Sequence, residues 1–147
     1  MLCDLMETRN NYPYYLDIPT RWLDNDLYQH VNNVHYYAFF DTVIGRFLMD
    51  EAGLDYRQDA VVGFAVENGC HYKRPLAFPD IVEAGLRVTK IGNSSVRYEV
   101  GLFTAGHDSP AATGYFVHVF VNRFEGNIAA PIPPKIRAAL SKIHQSA

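Results

Sequence analysis

One stretch of helical periodicity, set among runs of strand periodicity, constrains this chain more than any other feature. From residue 34 to about 52, Val34, Tyr37, Ala38, Val43, Ile44, Phe47 and Leu48 recur at mostly three- and four-residue spacing. Phe39, Phe40 and Met49 fall off that stripe, which predicts a helix covered on more than one side. Gly53 is placed to stop it. Ahead of it, residues 14–22 read as a first strand, with Pro19 confining that strand to an edge or a bulge. Behind it, residues 61–73, 81–91, 96–104 and 112–123 read as strands. In the last of these, Tyr115, Val117, Val119 and Val121 alternate with Phe116, His118, Phe120 and Asn122. Pro131, Pro133 and Pro134 close the sheet region, and residues 135–143 read as a short helix. The order predicts an α+β layer: a curved five-stranded antiparallel sheet wrapped around a long central helix. A single helix cannot cover both faces and the edges of such a sheet, so self-association is expected.

At 147 residues, with no repeat, low-complexity tract or linker, the chain reads as a single domain over 1–147. Apolar residues make up 48% and charged residues 20%, a balance that excludes a disordered chain. The net charge of −3 offers no broad basic surface, so nucleic acid is not an expected partner. Residues 1–13 read as a short leader without the charged and apolar regions of a signal peptide. No apolar run approaches the ~20 residues that span a bilayer. The expectation is a soluble, cytoplasmic protein. Cys3 and Cys70 show neither zinc-ligand nor disulfide-framework spacing, and no two histidines share a helical spacing that would seat a metal.

Chemistry concentrates in the polar stretch ahead of the helix. Asp24, Asp26, His30, Asn32 and Asn33 lie there together. Either asparagine is a good N-cap, because its side-chain oxygen can accept from open first-turn N–H groups. A helix N-terminus also offers N–H groups and a positive dipole end to a developing oxyanion. A neighbouring carboxylate offers a base or a nucleophile. Taken alone, Asp26 stays open between that role and a loop or capping carboxylate. Asp24 reads as a structural partner of Arg21. His30 is open between hydrogen-bond partner, water-orienting group and surface histidine. Tyr36 and Tyr37 read as core or pocket wall, and His35 and His71 as structural histidines.

With these residues in view the chain resembles the hotdog fold. In particular it resembles acyl-CoA thioesterases of the 4-hydroxybenzoyl-CoA type, with kinship to plant acyl-ACP thioesterases. The resemblance spans about residues 14–134. It is carried by Asp24-Asn25-Asp26 followed by Tyr36-Tyr37, and by Gln29-His30-Val31-Asn32-Asn33-Val34. Tyr72-Lys73-Arg74-Pro75-Leu76, Phe78-Pro79-Asp80 and Ile91-Gly92-Asn93-Ser94-Ser95 add to it. The resemblance implies that Asp26 is catalytic and that the oxyanion contact is a backbone N–H near Asn33. It implies a supporting role for His30. It implies a substrate site drawn from Tyr28, Asn32, Tyr36 and Tyr37, with Arg74 and Arg123 as contacts for coenzyme A phosphates. Lys73 and Lys135 are further such candidates, each otherwise a solvated surface charge. Glu67 is a second candidate carboxylate, near an expected dimer contact. In the plant enzymes Asp, Asn and His stand at the positions of Asp26, Tyr28 and His30, so Tyr28 departs from that pattern. The glycine-containing turn of the hydroxybenzoyl enzymes is replaced by Leu27 to Val31.

The activity implied is hydrolysis of an acyl-CoA, or an acyl carrier protein thioester, to free acid and thiol. No metal or other cofactor is required, and the assembly is a homodimer or a homotetramer built as a dimer of dimers. Two rivals remain: a non-catalytic acyl-binding hotdog protein and a hotdog hydratase or dehydratase. The hydratase spacing Asp-x-x-x-x-His is not met, since Asp26 lies one residue too close to His30 and Asp24 one too far.

Overall fold

The computed structural model describes residues 7–145. Cys3 lies outside them. Strands β1 (Tyr14–Pro19), β2 (Val61–Tyr72), β3 (Ile81–Ile91), β4 (Ser95–Phe103), β5 (Ala112–Asn122) and β6 (Ile128–Ala129) join helices α1 (Val34–Asp50) and α2 (Pro134–Lys142). All pairings are antiparallel, in the order β1-β3-β4-β5-β2, with β6 added beside β5. The sheet thus has six strands rather than five. The sixth is a two-residue return that its local pattern is too short to signal. β1 ends at Pro19, before the expected residue 22, and residues 22–24 form a 3₁₀ turn. Register shifts at Ala65/Glu67 and Val88/Lys90 mark bulges, which add twist and help the sheet curl.

Helix α1 is 17 residues long, shorter than expected. Gly53, at φ +69°, turns the chain away, and the Leu54 N–H donates to the Leu48 carbonyl at 2.9 Å. The helical period is as expected but its phase differs at the start. Tyr36, Phe39, Phe40, Val43, Ile44, Phe47 and Leu48 are buried, while Val34 is 65% exposed. The sheet makes room for this face. Phe40 lies over Gly114, where a Cβ would come within 2.5 Å of its ring.

Residues 7–13 are no loose leader. Tyr12 is buried across the opposite face of the sheet, on Gly85 and Gly101, each too close for a Cβ. Arg9 anchors the segment through Glu83 at 2.7 Å and the Thr104 carbonyl at 2.8 Å. At the other end, α2 buries Ile136, Ala139 and Leu140, and Lys135 bonds Asp59 and the Gly53 carbonyl, both at 3.0 Å. Lys135 therefore pins a loop. Among the described residues no helix is long and apolar enough to cross a membrane.

The Phe40–Gly114 contact sets the helix against the sheet. Gly114→Ala should lower stability by about 1–3 kcal/mol, as overpacking does. A urea midpoint shift at constant m-value would show it.

Candidate functional site

Asp24 is 2% exposed and collects three N–H groups of Arg21: the main-chain N–H at 2.7 Å, Nε at 3.0 Å and Nη2 at 2.8 Å. Its carbonyl accepts from the Asn32 N–H at 2.9 Å, which ties the loop entry to the helix start. Burial works against its charge, but the Arg21 hydrogen bonds outweigh that and hold the carboxyl below the ordinary range. His35 Nδ1 stands 3.8 Å away. Asp24 is structural, and Arg21 is its partner, as expected.

Between those ties the chain makes a small closed loop. Asn25 and Val31 bridge, the Asp26 N–H donates to the His30 carbonyl at 3.0 Å, and Gln29 takes φ +66°. The Val31 N–H reaches the Leu76 carbonyl at 2.7 Å, and Asn25 Oδ1 accepts from the Phe78 N–H at 3.0 Å. The Asp26 carboxylate is half-buried and accepts one N–H, from Tyr28 at 2.8 Å. His30 and Tyr28 are exposed. Among the described residues the His30 side chain makes no hydrogen bond, so the fold does not fix it on the Asp26 carboxylate.

The two asparagines divide their work. Asn32 Oδ1 caps the Val34 N–H at 3.1 Å. Asn33 is already helical, at φ −55°, and caps nothing with its side chain. Its main-chain N–H has no acceptor among the described residues, so it is open to an incoming oxygen.

An aromatic wall flanks this helix start. Tyr36 is buried and meets Tyr72 edge-on at 4.9 Å, and Tyr37 packs on Phe40 and Phe116. Cys70 and Tyr72 alternate onto the same face of β2. Burial, with the Cys70 thiol second, pushes the Tyr72 phenol up to about 12. Burial also raises the Cys70 thiol. Tyr72 and Cys70 were missed from sequence, although the period-2 pattern of β2 already placed them on one face.

Other candidates lie elsewhere. Arg74 is occupied by the Ser109 carbonyl at 2.9 Å and Thr104 Oγ1 at 3.5 Å, closing the β4–β5 loop. Arg123 follows β5 beside Ala60, at the far end of β2 from Tyr72. Eleven strand steps, about 35 Å, separate those ends, so one chain does not bring Arg123 to Asp26. Its guanidinium stacks on Phe124 at 5.1 Å, with Nε and Nη2 buried and unpaired. Glu67 pairs with Tyr115 on the face away from α1. Among the described residues no group of three or more His, Cys, Asp or Glu could hold a metal.

Residues 20–140 match the thioesterase-like superfamily. The PA5185 protein of Pseudomonas aeruginosa shares 47% identity over 95% of this chain and 97% of its own, with a TM-score of 0.92. The PA2801 protein of that bacterium, a thioesterase candidate, shares 29% over 88% and 98%, with a TM-score of 0.79. The gentisyl-coenzyme A thioesterase BH1999 shares the fold, at 24% identity over 86% and 99% and a TM-score of 0.76. No curated protein sequence matches the chain.

Removing the Asp24 charge tests its structural role. Asp24→Asn should cost about 1.5–3 kcal/mol at neutral pH, the value of hydrogen bonds to a charged group. A carboxyl held low stabilises above its unfolded pKa of about 3.9, and that contribution fades as pH falls through the folded value. The gap between wild type and variant in thermal melts should therefore close on acidification.

Proposed function

The chain belongs to the thioesterase-like superfamily, and we propose that it hydrolyses an acyl-coenzyme A to a free acid and coenzyme A. One observation carries the reading: a half-buried carboxylate, Asp26, in a loop stapled to a helix start whose Asn33 N–H is unoccupied. With the thioester carbonyl oxygen on that N–H, negative charge developing there meets a fixed donor and the helix dipole. Asp26 takes the proton of a water as its oxygen adds to the carbonyl carbon. The C–S bond then breaks, and the thiolate leaves and is protonated. If Asp26 instead attacks directly, a mixed anhydride forms and water cleaves it. Label in the Asp26 carboxyl after a single turnover in ¹⁸O-water would show the second route, with water attacking the aspartyl carbonyl of the anhydride. The gentisyl-coenzyme A thioesterase of the same fold supports coenzyme A as the carrier.

The working unit of this proposal is a homodimer. β2 is an edge strand of 12 residues, free of proline, with Phe64 at 42% and Val66 at 61% exposure. Such an edge is a template for another strand. Pairing with a second copy about a two-fold axis is antiparallel. It lays the Val61 end of one β2 beside the Tyr72 end of the other. Arg123 of the partner subunit is then carried toward the Asp26 loop, where it can serve as the coenzyme A contact that one chain lacks.

Asp26→Asn keeps the shape and removes the base or nucleophile, so thiol release should fall about 10²–10⁴-fold. Wild-type rates in that variant would exclude Asp26. His30→Ala should slow hydrolysis and leave a measurable rate. Light scattering at micromolar concentration should return the mass of a dimer, and a stable monomer would refute the edge-strand pairing.

A further inference from the structure

At the far end of α1 from the Asp26 loop, β1, α1 and α2 meet around a pocket of about 230 Å³. Its floor is apolar. Phe47, Ala139 and Ile143 are buried there, and Tyr14 meets Phe47 edge-on at 5.2 Å. Phe47 comes from α1, Tyr14 opens β1, Ala139 belongs to α2 and Ile143 follows it, so regular elements hold the walls. At about 30 Å³ for each water of the liquid, the space equals about eight waters, the size of a leucine molecule. An apolar lining with a few polar groups is the usual make-up of a small-molecule site.

Two of the lining residues are charged, and they are opposite in sign: Glu51 and Lys142. Both are exposed, and among the described residues neither side chain makes a hydrogen bond or an ion pair. Glu51 stands at an unfavourable place. It caps the C-terminus of α1, whose last turn holds no basic residue. The negative end of a helix dipole favours a cation there and opposes a carboxylate. The neighbouring Asp50 is already paired, with Arg46 at 2.9 Å, but Glu51 has no such partner. The Tyr14 phenol lies in the same field: burial first, then Asp50 and Glu51, raise it, so it stays protonated. Lys142, by contrast, ends α2, where its charge suits the dipole. An ammonium therefore fits the Glu51 side, and an anionic group fits Lys142. A ligand with only one of these charges leaves the other lining charge unmatched. A ligand with both on one carbon, and an apolar body for the floor, matches all three features.

We propose that this pocket binds a free α-amino acid with an aliphatic side chain, its ammonium on Glu51, its carboxylate on Lys142 and its side chain on Phe47 and Ile143. The site is separate from the proposed reaction and does not depend on it. At 1.5 Å per residue, the 17 residues of α1 put about 25 Å between the pocket and the Asn33 N–H.

Calorimetry on the full chain tests this with L-leucine, glycine, N-acetyl-L-leucine and L-leucinamide. L-Leucine should bind with a Kd of about 1 mM or tighter. Glycine has no side chain for the floor and should give no measurable binding. N-Acetyl-L-leucine lacks the ammonium and L-leucinamide the carboxylate. Each should bind about fivefold more weakly, the upper range for charges open to water. Two variants assign the halves. Glu51→Gln should weaken L-leucine by about fivefold and leave N-acetyl-L-leucine unchanged. Lys142→Met keeps the apolar stem, and it should weaken L-leucine as much while leaving L-leucinamide unchanged. Both positions are exposed, so the fold tolerates the changes. Absence of L-leucine binding at about 10 mM overturns the proposal. So does an unchanged L-leucine affinity in either variant, the result for binding elsewhere. L-Leucinamide matching L-leucine on wild type also overturns it, the result for a site that takes an amine alone.

Discussion

Burial of one helical face in one curled sheet is the interaction on which the remaining structure depends. Phe39, Phe40, Val43, Ile44, Phe47 and Leu48 leave water together. At about 1.5–3 kcal/mol for each large apolar side chain, no hydrogen bond in the molecule approaches their sum. Shape decides how close this face can come. Gly114 lets the Phe40 ring lie on the strand itself, and Gly85 and Gly101 admit Tyr12 on the opposite face. The sheet is gripped by aromatics from both sides at positions where it has no side chains. Outside, Arg87 stacks on Tyr12 at 4.9 Å and joins Glu99 at 2.8 Å, so the strap also closes a charge network. Burial opposes the Glu99 charge, but Arg87 and Arg97 overcome it and hold the carboxyl low.

The site follows from where that helix begins. With α1 fixed by its apolar face, its first turn falls beside the β2–β3 connection, and Leu76 and Phe78 bond the incoming loop. The two aspartates of the loop then differ by partners rather than by type. Asp24 is buried and takes three N–H groups of Arg21, which commits it to holding the loop. Asp26 accepts a single N–H and stays half-open. Asn32 caps, so Asn33 keeps its main-chain N–H unspent. A capping bond one residue earlier in the chain is what leaves a donor facing out.

Much of this was legible in the chain because the signals are local. Strand alternation, the helical period and the stop at Gly53 act over a few residues, and each falls within a few residues of its expected place. The roles of Asp24 and Arg21 were legible for the same reason, being three apart. What was not legible depends on contacts between distant segments. The helix phase is set by Gly114, some seventy residues away. Residues 7–12 read as leader because nothing in them shows that Gly85 and Gly101 leave a seat. Arg74 looked free until the β4–β5 loop supplied Ser109 and Thr104. His118 and Tyr98 looked like ordinary strand residues, and only the packed interior shows their polar atoms unpaired.

The width of the sheet explains both the free edge and the uncovered inner face of β2. A helix with its side chains is about 10 Å across. Neighbouring strands are about 4.8 Å apart, so it covers roughly two of them. Here α1 lies chiefly over β1 and β3 and reaches β5 through Phe40. The inner face of β2 is left over, and Ala65 and Asn68 are exposed on it. A second helix from the same chain could have closed that space, but α2 packs instead at the β3 end, where His144 bridges Val88. The shortage of helix therefore has two results in one place. It leaves β2 unpaired on its outer edge, where a second copy can add its own strand. It also leaves the inner face of β2 uncovered at Ala65 and Asn68. A wider helical layer would have removed both.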